Sequence, residues 1–218
     1  MGKYSKKGTY GGYDRTNKDR EEFDYYATPV EEVVNILETL GYDFTGKVIL
    51  DNSCGGGHII EGILLYCDSH GYVPKTIYGT DLINRGYKPN REYVKIAYNI
   101  NTLDPDYLDL LPEPIDYCII NPPYSLLDQF VQKAFVAREG IILLARTKAI
   151  ETKKRYDAFL KDKPFTYMYQ YVDRISCLTN GTEYAAGVEV YAWFVWDANV
   201  NQEPVVRWIW SKKTKEKE

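Results

Sequence analysis

The residues that most directly indicate chemistry are Asn121, Pro122, Pro123 and Tyr124, which follow an apolar run. Proline fixes φ and removes a backbone donor, so this turn is expected to be stiff. The Asn121 side-chain oxygen and the Pro122 carbonyl then form two acceptors for both hydrogens of an sp² amino group, such as the exocyclic amine of adenine. Such a contact enriches the nitrogen lone pair for attack on a methyl carbon, and the Tyr124 ring can stack on a planar substrate. The alternative interpretation is a rigid turn with a packed tyrosine.

A glycine-rich turn follows a second apolar run that ends at Asp51. Glycine has no Cβ, so the backbone of 53–57 can approach a ligand closely. The turn matches neither G-x-G-x-x-G nor G-x-x-x-x-G-K-[ST], and it therefore favours a compact nucleoside with an amino-acid tail. Asp81 ends the next apolar run and is predicted to accept hydrogen bonds from ribose hydroxyls. A structural turn and a solvated acid remain the alternative.

Other clusters of reactive side chains are weaker candidates. Cys54/His58 and Cys67/His70 have the spacing of metal ligands on a helix. We expect no metal, because Cys54 belongs to the glycine turn and the second pair lies at the far end of the predicted helix. The basic stretch 146–155 either contacts phosphates or forms a solvated surface.

The elements that must position these residues alternate between strands and helices. Strands are predicted at 47–51, 76–81, 116–120 and 140–145, and helices at 30–40, 58–67, 90–100 and 126–137. Thr28, Pro29 and Glu31 predict a capping box at the first helix, and Gly41 predicts its end. This alternation predicts an α/β fold with a mostly parallel, doubly wound sheet.

The later part of the chain has a different pattern. Runs at 166–175 and 188–196 predict an antiparallel strand pair, and 205–210 predicts a last edge strand. In open α/β sheets, ligands bind at the carboxyl ends of the strands. The glycine turn, Asp81 and the Asn121–Tyr124 turn are therefore expected to line one crevice.

Length and composition limit the possible classes of protein. A chain of 218 residues with 44% hydrophobic residues and a net charge of −4 excludes wholesale disorder. We predict a flexible basic arm at 1–22, a single domain at 23–210 and a charged tail at 211–218. No apolar run approaches the roughly 20 residues of a membrane span, and the cysteines show no paired spacing, which predicts a cytoplasmic protein.

Taken in order, these segments resemble the S-adenosylmethionine-dependent amino methyltransferases. The resemblance is strongest to the N6-adenine DNA methyltransferases in which a Thr-Pro segment comes first, and it covers roughly residues 23–196. It rests on five segments, namely Tyr26-Ala27-Thr28-Pro29, Asp51-Asn52-Ser53-Cys54-Gly55-Gly56-Gly57, Asp81-Leu82, Asp106-Tyr107-Leu108 and Asn121-Pro122-Pro123-Tyr124. It implies a Rossmann-like methyltransferase fold and S-adenosyl-L-methionine as the cofactor.

The resemblance also implies a role for each segment. Asn121, Pro122, Pro123 and Tyr124 would be catalytic. The implied cofactor-binding residues are Tyr26, Thr28, Asp51, Asn52, Ser53, Cys54, Gly55, Asp81, Leu82, Asp106 and Tyr107. Asp104 competes with Asp106, because the sequence D-P-D leaves the register ambiguous.

Two departures from the family are visible. Asn52 stands where relatives carry proline, and Cys177 stands where many carry an aromatic residue that sandwiches the flipped base. Tyr184 or another residue would have to replace that aromatic ring. The chain has no room for a large target-recognition domain, so base specificity would come from the loop 178–187, the N-terminal arm or a partner.

The expected activity is methyl transfer to the N6 amino group of adenine in DNA. Base flipping would be followed by direct in-line transfer without a covalent enzyme intermediate. The expected partner is DNA, and a separate recognition subunit or self-association stays open. Alternatives are an RNA adenine or a protein glutamine amide as the substrate, or a non-catalytic DNA-binding module that retains the fold.

Overall fold

The computed structural model describes residues 25–179, 183–184 and 189–212. The predicted arm at 1–22 and most of the charged tail lie outside these residues. The strands are β1 (Tyr26–Ala27), β2 (Val48–Asp51), β3 (Thr76–Asp81), β4 (Val94–Tyr98), β5 (Tyr117–Ile120), β6 (Gly140–Arg146), β7 (Tyr167–Tyr171), β8 (Leu178–Thr179), β9 (Glu183–Tyr184), β10 (Tyr191–Asp197) and β11 (Val205–Ile209). The helices are α1 (Val30–Leu40), α2 (His58–His70), α3 (Leu127–Ala134) and α4 (Lys153–Arg155), with 3₁₀ turns at Pro105–Leu110 and Thr147–Ile150 and a π turn at Tyr156–Leu160.

Eight strands form one sheet in the order β11-β7-β10-β6-β5-β2-β3-β4. All neighbours in this sheet are parallel except β10, which runs antiparallel to both β6 and β7. The predicted mostly parallel sheet and its antiparallel C-terminal pair are therefore confirmed. The predicted edge strand is also confirmed, because β11 closes the sheet beside β7.

The order of the strands reverses between β2 and β5. From β2 the chain builds outward through β3 and β4, and it then returns to place β5 on the other side of β2. Crevices open at such a switch point, beyond the carboxyl ends of the two central strands. The glycine turn after β2 and the turn that begins at Asn121 lie at these two ends.

The sheet is buried on both faces, which explains its continuous apolar strands. Ile49 and Ile119 belong to the core cluster that includes α1 and α2. Their chain neighbours Leu50 and Ile120 belong to the opposite cluster, which includes α3. Successive side chains of one strand thus stabilise both layers.

The predicted helix at 90–100 is wrong, because this segment contains strand β4. Burial alternates along it: Val94 is buried, Lys95 and Ala97 are exposed, and Ile96 lies between these extremes. That period of two is the signature of a strand with one covered face. β4 pairs in parallel with β3, starting at Ile77 and Val94.

The predicted capping box at α1 is also wrong. The residue before the helix is Pro29, and no side chain caps it. Thr28 is instead buried, and its hydroxyl oxygen accepts a hydrogen bond from Asn121. The predicted end is confirmed, because Gly41 adopts a φ of 67° and its N–H donates to the Leu37 carbonyl at 2.8 Å.

A small separate sheet holds the segment that precedes α1. In its antiparallel pair of β1 and β8, Tyr26 lies opposite Thr179 and Ala27 opposite Leu178. Two residues near the N-terminal end of the described chain are thus fixed by residues that follow β7.

The buried carboxylate of Glu32 ties α1 to the C-terminal end of the described chain. It accepts hydrogen bonds from the Tyr171 hydroxyl at 3.0 Å and from the Lys212 backbone N–H at 2.9 Å. Burial raises the pKa of Glu32 above its ordinary value. Among the residues that the structure describes, no helix is both long and apolar enough to cross a lipid bilayer.

Candidate active site

A pocket of about 490 Å³ lies at the carboxyl ends of the central strands. Nine of its lining residues belong to the predicted site, namely Tyr26, Thr28, Asn52, Ser53, Cys54, Asp81, Leu82, Asn121 and Pro123. This size is within the usual range of pockets for small ligands. The three strand ends named from the sequence therefore contribute to one pocket.

The glycine turn is shaped by two tyrosine rings that pack directly against its backbone. Gly55 has a φ of +51°, and a Cβ there would lie 2.4 Å from Tyr25 Cε2. Gly57 has a φ of +83°, and a Cβ there would lie 2.4 Å from Tyr87 Cγ. Both positions need glycine because of the left-handed backbone and because of the ring above it.

Asp81 fastens this turn to the end of β3. Its carboxylate accepts hydrogen bonds from the Gly55 N–H at 2.8 Å and from the Ile83 N–H at 2.9 Å. Asp81 also lines the pocket, as does its neighbour Leu82. One side chain thus positions the backbone of the turn and presents a negative charge to the pocket.

Asp51 is a buried acid of the site whose pKa lies far above its ordinary value. It is 1% exposed, and its Oδ1 accepts a hydrogen bond from the Ser53 N–H at 3.1 Å. Its Oδ2 has no hydrogen-bond partner among the described residues. Burial, with a smaller effect of the Asp81 charge, raises the pKa of Asp51 to about 8. The site therefore contains an acid that a nearby cation would help to ionise.

Asn52 and Ser53 bring further polar atoms to the pocket wall. Asn52 Oδ1 and Ser53 Oγ are buried, and neither has a hydrogen-bond partner among the described residues. Leaving a buried polar atom unsatisfied costs about 1–3 kcal/mol, so such atoms suit a polar ligand. Asn52 stands where the methyltransferases that the sequence resembles carry proline, and its side chain supplies one of the two atoms.

The side chain of Asn121 is held in one orientation by the segment before α1. Its Nδ2 donates to the Tyr26 carbonyl at 2.8 Å and to Thr28 Oγ1 at 3.0 Å. With the amide nitrogen engaged on that side, the remaining polar atom is Oδ1. The amide of a pocket-lining residue thereby keeps its acceptor for a ligand.

Tyr124 does not line the pocket. Its ring stacks on the Tyr26 ring with centroids 5.8 Å apart, and the Arg146 guanidinium lies 4.3 Å from its centre. Burial raises the pKa of Tyr124 well above its ordinary value. The structure therefore brings Tyr26 to the pocket and places Tyr124 behind it.

Cys177 is buried close to Tyr124. It is 1% exposed, and its Sγ lies 3.9 Å from the Tyr124 hydroxyl. Burial raises the pKa of its thiol to about 11. The Tyr184 side chain lies outside the described residues. Among the residues that the structure describes, Tyr25, Tyr26 and Phe130 contribute the tyrosine and phenylalanine rings of the pocket lining.

The structure does not bring the D-P-D-Y segment to the pocket. Asp104 and Asp106 are exposed, and Tyr107 is fully buried with its hydroxyl 2.8 Å from Thr80 Oγ1. The lining residues of this region are instead 100–103, which follow β4. The sequence missed them because β4 was predicted as a helix, which hid the carboxyl end of a strand.

Tyr25 and Arg85 were also not predicted from the sequence as residues of the site. The Tyr25 hydroxyl accepts a hydrogen bond from the Gly56 N–H at 3.0 Å, and the Arg85 guanidinium lies 3.8 Å from the centre of its ring. Both residues line the pocket. No local pattern could have linked them, because they are 60 residues apart and meet only in the folded chain.

The basic stretch after β6 carries less free charge than its sequence suggests. Arg146 lies 3.2 Å from Glu189, and both Lys154 and Arg155 pair with Asp128. Acidic partners thus neutralise much of this positive charge. Arg146 is the member closest to the site, through its contact with Tyr124.

The chain is similar to several solved structures. One is the methyltransferase subunit of a type I restriction-modification system from Streptococcus thermophilus, with a TM-score of 0.58, 15% identity, and coverage of 86% of this chain and 48% of that one. Another is a protein from Listeria monocytogenes provisionally named a class I S-adenosylmethionine-dependent methyltransferase, with a TM-score of 0.57, 12% identity, and coverage of 82% and 62%. A third is a protein from Lactococcus lactis provisionally named a hemolysin, with a TM-score of 0.59, 12% identity, and coverage of 88% and 99%.

The chain has a Rossmann-like methyltransferase fold. The strand order and the similarity to these structures agree on this point. At 12% to 15% identity, the similarity shows the fold alone. The chain spans about half the length of the restriction-modification subunit. No protein-family model and no curated protein matches the sequence.

Proposed function

We propose that this chain is an S-adenosylmethionine-dependent methyltransferase that methylates the N6 amino group of adenine in DNA. The observation that carries the proposal is the orientation of Asn121. The Tyr26 carbonyl and Thr28 Oγ1 hold its amide nitrogen, which leaves its oxygen as an acceptor in a pocket shared with the glycine turn and Asp81. An acceptor in this position suits an amino-group substrate.

The residues of the pocket fit this cofactor. Asp81 and the unsatisfied Asn52 Oδ1 and Ser53 Oγ are acceptors for hydroxyl and ammonium donors. Asp51 and Asp81 favour a ligand that carries positive charge. Leu82 and Phe130 offer apolar surface for a purine ring. When bound, S-adenosylmethionine supplies a methyl group that is already activated by its sulfonium.

The chain itself needs to supply orientation and polarisation. Asn121 Oδ1 and the Pro122 carbonyl accept the two hydrogens of the substrate amine, which enriches its nitrogen lone pair. Two consecutive prolines keep the turn stiff, so these acceptors need little reorganisation. The transfer is then direct and in-line, without a covalent bond to the enzyme, since holding two reactants in line is itself a large part of catalysis.

DNA as the substrate is supported by the order of the segments and by the fold similarity to a restriction-modification subunit. The adenine must leave the duplex, because its amine is otherwise paired. Tyr26 and Tyr124 offer stacked rings beside Asn121, and a base that stacks on Tyr124 would have to separate them. A separate recognition subunit, or association of two copies, would supply target specificity. Four buried free cysteines support a cytoplasmic location.

The test is methyl transfer with labelled cofactor to unmethylated DNA, RNA and protein in parallel. We expect N6-methyladenine in DNA, identified by mass spectrometry of the digested product. Labelling of only RNA or protein would assign a different substrate, and absence of cofactor binding in calorimetry would refute the proposal.

Asn121→Ala provides the test of mechanism. We expect cofactor binding to remain and the rate of transfer to decrease by about 100-fold or more, since one preorganised polar group commonly contributes that much. Asn199→Ala is the matched control, because Asn199 is exposed in the turn after β10. A wild-type rate in Asn121→Ala would exclude the polarising role.

A further inference from the structure

Arg85 is the one lysine or arginine among the described residues that line the pocket. Its position is four residues after the end of β3. The other formal charge of the described lining is the Asp81 carboxylate, which the Gly55 and Ile83 N–H groups already engage. An anionic group of a ligand therefore has one cationic partner here.

Tyr25 holds the Arg85 guanidinium in place. The guanidinium carbon lies 3.8 Å from the centre of the Tyr25 ring, which is a close cation–π contact. The same tyrosine is anchored to the turn, because its hydroxyl accepts the Gly56 N–H at 3.0 Å. These contacts fix the guanidinium beside the glycine turn, and neither of them uses its N–H groups as hydrogen-bond donors.

One N–H donor of Arg85, at Nε, is buried without a hydrogen-bond partner among the described residues. A buried charged donor without an acceptor is costly, and a carboxylate is the group that best matches the planar fork of arginine. The arrangement therefore favours a ligand with a carboxylate beside the glycine turn.

We propose that Arg85 binds the carboxylate of the amino-acid part of S-adenosylmethionine, with Tyr25 as its platform. This inference rests on the proposed function, because it assumes that cofactor. Of the charged groups of the cofactor, the carboxylate is the one that Asp81 repels and a guanidinium attracts. Arg85 thereby distinguishes the complete cofactor from adenosine derivatives that lack this group.

The test compares S-adenosylmethionine with its decarboxylated form, which differs only in the carboxylate. Calorimetry with Arg85→Met should show affinity for S-adenosylmethionine reduced by about 10- to 100-fold, as expected for a charge-assisted hydrogen bond. Affinity for the decarboxylated form should change by less than about twofold. Arg85→Lys should lie between the wild type and Arg85→Met, because lysine keeps the charge and loses the fork.

Arg91→Met is the matched control, since Arg91 pairs with Asp68 at 2.8 Å and does not line the pocket. It should leave both affinities unchanged. Equal weakening of both ligands in Arg85→Met and Arg85→Lys would overturn the inference, and so would unchanged binding of both. Loss of DNA binding with intact cofactor binding would assign Arg85 to a phosphate instead. If the wild type binds neither ligand, the proposed function itself fails.

Discussion

Replacing Asp51 by asparagine should remove a large part of the pH dependence of the protein's stability. Burial raises the pKa of this carboxyl to about 8, whereas an unfolded aspartate titrates near 4. Between these two values the folded protein keeps a proton that the unfolded chain has lost. Stability must therefore decrease as the pH rises through this window, by about 1.4 kcal/mol per pH unit from this group.

From pH 5 to pH 8 the folded state of the wild type should lose roughly 4 kcal/mol of stability through Asp51. Asparagine resembles the protonated acid in shape and carries no titrating proton. The free energy of unfolding of Asp51→Asn, relative to that of the wild type, should therefore increase by roughly 4 kcal/mol between pH 5 and pH 8.

The assay is urea unfolding of both proteins at several pH values, compared as a difference. Glu32 also has a raised pKa and contributes a slope of the same sign, but it is common to both proteins and cancels. Asp43→Asn is the control: the pKa of this exposed acid is lowered by its contacts with Thr45, so it is ionised throughout the range. Parallel curves for the wild type and Asp51→Asn would refute the assignment of a neutral, buried acid.

The same acid links pH to the proposed cofactor. A cation bound nearby lowers the pKa of Asp51, so binding expels its proton. Affinity for S-adenosylmethionine should then increase as the pH rises from 6 to 8, by at most about tenfold per unit. Calorimetry of Asp51→Asn should give a flat profile over this range. A wild-type profile that is equally flat would separate Asp51 from the bound charge.

Two further substitutions test how the site is built. Thr28→Val should lower the free energy of unfolding by about 1–3 kcal/mol and reduce kcat, because it removes an acceptor from the Asn121 amide. Thr28→Ser keeps the hydroxyl and should retain both the stability and the kcat of the wild type. A wild-type kcat in the valine variant would show that this contact does not orient Asn121. Gly55→Ala should lower the free energy of unfolding by about 1–2 kcal/mol because of its left-handed backbone, and by more because the new Cβ must displace Tyr25. Gly41→Ala should lose only the contribution of the left-handed backbone, because open space surrounds that position. Urea unfolding measures both glycine variants, and equal losses would mean that Tyr25 does not pack on the turn in solution.

Much of the site could be predicted because its residues stand at strand ends. Apolar runs that stop at Asp51, Asp81 and Asn121 indicate parallel strands, and the carboxyl ends of such strands share one edge of a sheet. The structure places Asp81 and Asn121 in one pocket, and Asp51 beneath its wall residues Asn52 and Ser53. This part of the prediction needed only local pattern and the geometry of parallel sheets.

The parts that were missed depend on contacts between distant segments. The segment at β4 has only three alternating positions, Val94, Ile96 and Tyr98, that face the core. So short a pattern with a period of two was mistaken for the period of a helix. Thr28 has the right neighbours for a helix cap, but the Asn121 amide, 93 residues away, competes for its hydroxyl. The meeting of Tyr25 and Arg85 is decided by packing on the glycine turn.

The pairing of β1 with β8 sets the order in which a nascent chain can complete its site. The partner of Ala27 is Leu178, so the segment that orients Asn121 cannot complete its sheet until residue 178 has left the ribosome. Contacts so far apart along the chain form late, because a long loop must close first. A translation product that ends between residues 121 and 178 would contain the glycine turn, Asp81 and Asn121. The Tyr26 carbonyl and the Thr28 hydroxyl would not yet be held in place by β8 to fix the Asn121 amide.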